Sequence, residues 1–141
     1  MAAACVALGI GCGGASPARI YSGETDQRFP VRIRVAGDGK RLTFRIVWSC
    51  PVVAGLAPLT THLRGMPVVL SQADTFATDV DYTYALSDAT RARVQGQLSG
   101  RLTSGGGASG VWHPRLTYED PESPAPTHCD PGAIAFTARR T

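Results

Sequence analysis

The chain has 141 residues and a formal net charge of +3, from 14 basic and 11 acidic residues. This length corresponds to one domain that can bury a substantial core. The charge is too small to indicate a nucleic-acid-binding protein, and no run after the first residues approaches the ~20 apolar residues of a transmembrane helix.

Residues 1–18 read as a leader, because they carry no charge and pass from apolar to small to polar, as a secretory signal does. The positive start is missing and the apolar run is short, which is explained if translation begins upstream. Cys12 follows small residues, as the lipidated cysteine of a bacterial lipoprotein does, although Leu8 precedes it by four residues rather than three. A soluble secreted protein is the alternative. The remaining residues, 19–141, are predicted to form a single domain.

The clearest structural signal is a β-hairpin over residues 29–50. Asp38-Gly39 suits a two-residue turn with positive φ, and that turn places apolar residues opposite one another, as in Val35 with Leu42. Arginines occupy the other face, and they favour two interpretations: a patch that binds an anion such as a lipid headgroup or a cell-wall polyphosphate, or a merely solvated face. The members of this face are Arg32, Arg34, Arg41 and Arg45.

The rest of the chain predicts short strands separated by turns. Residues 51–67 read as an irregular connection with one helical turn at 59–63, where His62 is a loop histidine. The segment 104–109 is rich in glycine and reads as a hairpin loop, because the helix and Lys-Ser/Thr pair of a phosphate-binding loop are absent. The segment 119–131 is acidic and rich in proline, without calcium-loop spacing. Strands are predicted at 66–70, 76–86, 92–103, 110–118 and 132–139.

Two cysteines remain outside the leader, Cys50 and Cys129. In an oxidising compartment such a pair predicts a disulfide, whereas free thiols are the alternative. Closing so long a loop stabilises the chain by roughly 4 kcal/mol in the chain-entropy model. No cysteine or histidine spacing indicates a metal site.

Together these features predict an all-β domain. We expect an antiparallel meander of about seven to eight strands that forms a sandwich or a closed barrel with one disulfide. The last strand is expected to pair near the first, because an open edge promotes aggregation.

The sequence also resembles a family of small uncharacterised secreted or lipid-anchored β proteins of high-GC Gram-positive bacteria. The resemblance covers nearly all of the chain after Ala18, and the sequence departs from the family at residues 26–28 and at Pro114. It implies a fold and no activity. The segments that carry it are YSGETDQ (21–27), PVRIRV (30–35), DGK (38–40), SGRL (99–102), SGVW (109–112) and residues 132–139, together with Cys50 and Cys129.

The residues are compatible with three functions. The first is an exported, non-catalytic, monomeric β-domain, extracellular or attached to the cell envelope, that binds an anionic envelope component and needs no cofactor or metal. The second is a carrier with a small apolar cavity inside a barrel. The third and least favoured is a hydrolytic enzyme, because His62, His113 and His128 lack an accompanying nucleophile and orienting group.

Overall fold

The computed structural model describes residues 16–50, 57–85, 89–119, 121–122 and 126–141, without side-chain detail for 64–67. Cys12 and most of the predicted leader lie outside these residues. The described chain forms nine β-strands: β1 (Arg19–Thr25), β2 (Pro30–Val35), β3 (Arg41–Trp48), β4 (Leu59–Val69), β5 (Thr75–Ala85), β6 (Arg91–Leu102), β7 (Gly107–Glu119), β8 (Thr127–Cys129) and β9 (Ile134–Arg140). The described residues contain no helix long and apolar enough to cross a membrane.

The strands build a single curled antiparallel sheet, a half-barrel. Hydrogen-bonded neighbours follow the order β4-β3-β2-β1-β9-β7-β6-β5, and β8 pairs with the later part of β7. The all-β prediction is therefore confirmed, as is the pairing of the last strand with the first. The sheet is one curled layer with two edges, β4 and β5.

The β2–β3 hairpin has the predicted register, with Val31 opposite Ile46 and Val35 opposite Leu42. Its turn differs from the prediction. Only Gly39 has a positive φ, of 71°, and the Gly39 amide donates to the Ala36 carbonyl. The loop is therefore four residues long, which keeps the same parity and so the same inward side chains.

Two other predictions for the strands were wrong. The segment predicted to contain a helical turn is strand β4, and it pairs with β3 across an irregularity between Leu42 and Phe44. The glycine-rich loop is shorter than predicted, since the Thr103 amide donates to the Gly107 carbonyl and β7 begins at Gly107. The longer loop predicts Leu116 as the cross-strand partner of Leu98, whereas Leu98 lies opposite Trp112.

Large side chains fill the concave face of the sheet. Phe44 on β3 packs edge-on against Phe136 on β9 at 5.2 Å between ring centroids, and against Phe76 on β5 at 6.3 Å. Trp48 and Trp112 meet at 6.3 Å in an edge-to-face arrangement. These contacts join the first half of the sheet to the second, so both halves share one core.

The disulfide between Cys50 and Cys129 is present, with 6.2 Å between the two Cα atoms. Both cysteines are buried. The bond ties the end of β3 to β8 across 79 residues of sequence. The predicted pairing is therefore confirmed.

The edge strands β4 and β5 approach each other without pairing through their backbones. The Thr61 hydroxyl on β4 lies 2.8 Å from the Tyr82 hydroxyl on β5, and it also accepts a hydrogen bond from Trp48 Nε1 at 3.0 Å. We call the line along which β4 and β5 approach each other the seam. At its other end, a turn between Ser71 and Thr75 connects the two strands. Side-chain contacts hold this seam together.

Candidate anion-binding face

The convex face of the sheet carries a row of basic side chains that crosses strands β9, β1, β2 and β3. Ser22 on β1 lies opposite Arg139 on one side and Arg32 on the other. Arg32 lies opposite Arg45, and Arg45 lies opposite His62 on β4. We call Arg139, Arg32 and Arg45 the arginine row. All three are exposed.

Strand alternation places these arginines outside. Val31 and Ile33 flank Arg32 in sequence and are buried in the core, and Ile46 follows Arg45 and is buried too. Because successive side chains of a strand point to opposite faces, burial of these neighbours fixes the arginines on the outer surface. A one-residue slip would bury the charges, so the register that builds the core also builds the row.

The row brings like charges close together. Arg32 and Arg45 are direct cross-strand partners, whose Cβ atoms lie about 5 Å apart in antiparallel sheets. Arg139 stands two strand spacings from Arg32, about 10 Å. Like charges directly opposite each other destabilise a sheet, whereas the same arrangement attracts an anion.

The arginine row has no ion-pair partner among the described residues. Within the described residues, salt bridges join Arg41 to Asp38, Arg93 to Asp81 and His113 to Asp130. None of them involves a member of the row.

The other two predicted arginines are placed differently. Arg34 is exposed on the same face, opposite Thr43. It lies two residues nearer the hairpin turn than Arg32. Arg41 donates from Nε to Asp38 at 2.8 Å. Hydrogen bonds from the Lys40 amide and then from Arg41 hold the pKa of the Asp38 carboxyl below its usual value. Arg41 thus has its own counter-ion, and the structure separates it from the row.

The sequence pattern of the hairpin does not predict that Arg139, on β9, belongs to the arginine row. The predicted final strand put Ile134, Phe136 and Ala138 inward, and they are buried. That alternation leaves Arg139 outward. Its position beside the hairpin depends on the pairing of β9 with β1, which shorter-range patterns do not specify.

On the outer face of β5, β6 and β7, basic side chains are paired with acidic ones. Arg93 donates two hydrogen bonds to Asp81, at 2.9 and 2.7 Å, and this contact lowers the pKa of Asp81. His113 lies 3.2 Å from Asp130, whose pKa is lowered first by the Gly132 amide and then by His113.

The three histidines do not share a site. His62 lies on strand β4 rather than in the predicted loop, and His113 and His128 are exposed on β7 and β8. His128 lies 3.3 Å from the Thr117 hydroxyl. Within the described ranges, no three His, Cys, Asp or Glu side chains are grouped to hold a metal ion.

No family model, curated protein or solved structure matches this chain. The resemblance to small secreted β proteins therefore stays a prediction.

Proposed function

We propose that this protein is an exported, non-catalytic β-domain that binds an anionic component of the cell envelope through the arginine row. The observation that carries the proposal is the set of three exposed guanidinium groups, without ion pairs among the described residues, aligned across the strands. Such an arrangement costs stability and gains nothing within the fold, but it attracts an external anion.

The disulfide supports export. Disulfides persist in oxidising compartments and are rare in the cytosol, and here the bonded cysteines are both buried. The uncharged leader composition points the same way. Attachment through Cys12 is part of this proposal, and intact-mass analysis of the exported protein tests it by the mass of the lipid.

Core packing favours a surface role over the apolar-ligand carrier. The concave face is occupied by Trp48, Trp112 and the three packed phenylalanines. Grooves of about 580, 650 and 440 Å³ instead open on the outer face, where exposed side chains such as Ser22, Ser99 and Asp79 line them. This packing supports a ligand that binds to the outer surface.

A pelleting assay with isolated Gram-positive cell wall tests the proposal. The full chain is compared with R32Q/R45Q/R139Q and with a control, R91Q/R101Q/R115Q, that removes three exposed arginines from strands β6 and β7. We expect binding that falls with salt, a loss of affinity of about tenfold or more in the row variant, and little change in the control. Equal loss in both variants would reduce the effect to net charge and overturn the proposal.

A further inference from the structure

A groove on the outer face begins where the arginine row ends. Its volume is about 580 Å³. Arg139 belongs to both the row and the groove, and Ser22, which lies between Arg139 and Arg32, also lines the groove, so the two surfaces are continuous. The groove crosses strands β1, β9 and β7, and the β6–β7 loop closes one side of it.

Four hydroxyl side chains line this groove. Ser109 lies opposite Thr137, and Thr137 lies opposite Glu24. Ser22 and Thr103 add two more hydroxyls. The inward-pointing residues Gly23, Ala108 and Ala138 contribute the floor. Hydroxyl side chains donate and accept at once, so they suit a ligand that itself carries many hydroxyls.

The groove and the row differ in charge. Glu24 lines the groove, and its carboxylate accepts hydrogen bonds but repels phosphate. Arg139 stands on the boundary, and Arg32 and Arg45 lie beyond Ser22. The groove therefore suits an uncharged polyol, while the row suits phosphate groups, which bind guanidinium through charge-assisted hydrogen bonds.

We propose that the ligand is a polymer whose repeating unit joins a phosphodiester to a polyol, laid across the strands. Its phosphates contact the arginine row, and the polyol of a neighbouring unit occupies the hydroxyl-lined groove. This inference rests on the proposed function, because the phosphates need the row.

A membrane surface fits this face less well. Anchoring on a bilayer uses exposed apolar side chains beside the basic groups. Among the described residues, the exposed large hydrophobics are Val69 and Val111, and neither lies in the row or the groove. Val69 is opposite Arg41 at the hairpin end, and Val111 is on β7.

The experiment measures affinity of the full chain by calorimetry for two soluble probes, poly(glycerol phosphate) and inorganic polyphosphate. The groove variant is S109A/T137V, and its control is T60V/T83V, which removes two exposed hydroxyls outside the groove. We expect the groove variant to bind poly(glycerol phosphate) at least fivefold more weakly and polyphosphate with unchanged affinity. The control should bind both probes like the parent chain.

The outcomes separate the two proposals. If R32Q/R45Q/R139Q binds both probes as tightly as the parent, the proposed function fails. If that variant loses binding but S109A/T137V changes neither affinity, the row binds anions and the polyol inference is overturned. Tighter binding to phosphatidylglycerol vesicles than to poly(glycerol phosphate), at equal phosphate concentration, would also overturn it in favour of a membrane.

Discussion

At the scale of single residues, two facing glycines shape the concave side of the sheet. Gly100 on β6 lies opposite Gly110 on β7, with Phe76 beyond the first and Phe136 beyond the second. The phenylalanine rings extend over the glycines: a Cβ at Gly100 would lie 2.6 Å from Phe76 Cζ, and one at Gly110 would contact Phe136. The missing side chains give the rings room to reach Phe44.

Gly100→Ala should therefore destabilise the protein. The added methyl would also meet the Ser109 carbonyl of the neighbouring strand, and overpacking of this kind typically costs about 1–3 kcal/mol. Urea unfolding measures the change. Gly105→Ala is the control, since its Cβ would have nothing within 4 Å. Equal stability of the two variants would contradict the packing.

Tyr84 gives the protein a dependence on alkaline pH. Burial, and secondarily the neighbouring Tyr118 and Tyr82, raises the pKa of Tyr84 to about 12. Its hydroxyl is buried without a hydrogen-bond partner in the described structure. Because the folded pKa exceeds the ordinary value near 10, the stability this group contributes is present below pH 10 and is lost as the pH rises towards 12.

We expect the free energy of unfolding to fall between pH 10 and 12, and to fall less steeply in Tyr84→Phe. Removing an unpartnered buried hydroxyl should also leave stability at pH 7 unchanged or slightly higher. Denaturant titrations at several pH values measure both effects. A variant whose stability falls as steeply as the parent's would show that Tyr84 ionises as freely as an exposed tyrosine.

At the scale of the strands, the arginine row that would bind an anion also lowers the stability of the fold. Arg32 and Arg45 repel each other across β2 and β3. Arg45→Gln should raise the free energy of unfolding by about 0.5 kcal/mol at low salt, and the gain should vanish at high salt. Urea unfolding at two salt concentrations measures it.

Arg41→Gln is the matched control, because it removes the same charge from the same strand. Arg41 is paired with Asp38, so its removal should give no gain or a small loss, within the range of about 0–1 kcal/mol of exposed pairs. Equal gains in both variants would trace the effect to net charge and not to the Arg32–Arg45 pair.

The sequence predicts some strand pairings and misses others for physical reasons. In the β2–β3 hairpin, apolar alternation and a turn signal act together, so the register was predictable although the turn type was not. At β6–β7, the glycine run permits loops of several lengths that keep the same side chains inward. The predicted register was wrong by four residues, since Leu98 lies opposite Trp112 and not Leu116. The first part of β4 was missed because Pro58, Gly65 and Pro67 hide its alternation, and the prediction of a strand at 66–70 covers only its end.

The candidate site shows the same limit. Arg32 and Arg45 were predictable as neighbours, since one local hairpin places them. The neighbouring Arg139 and the groove hydroxyls Ser109 and Thr137 come from β7 and β9, more than 60 residues further along the chain. The long-range pairing of β1 with β9 and the pairing of β9 with β7 unite them, and alternation within one strand carries no signal for such pairings.

At the scale of the whole molecule, the sheet curls without closing. Its two edges, β4 and β5, meet at their connecting turn and at the Thr61–Tyr82 contact. Strands β1 and β9, by contrast, have backbone partners on both sides. Both halves share the core around Phe44, so global unfolding should be cooperative while the seam opens locally at lower cost.

Hydrogen exchange should report this difference. We expect the slowest amides in β1, β9 and the start of β7, and faster exchange at alternate amides of β4 and β5, which face the seam without a strand partner. Tyr82→Phe should speed exchange further along the seam, because it removes the hydroxyl that contacts Thr61, while leaving β1 and β9 unchanged. Uniform protection across all strands would mean that β4 and β5 pair in solution, and the half-barrel would then be a closed barrel.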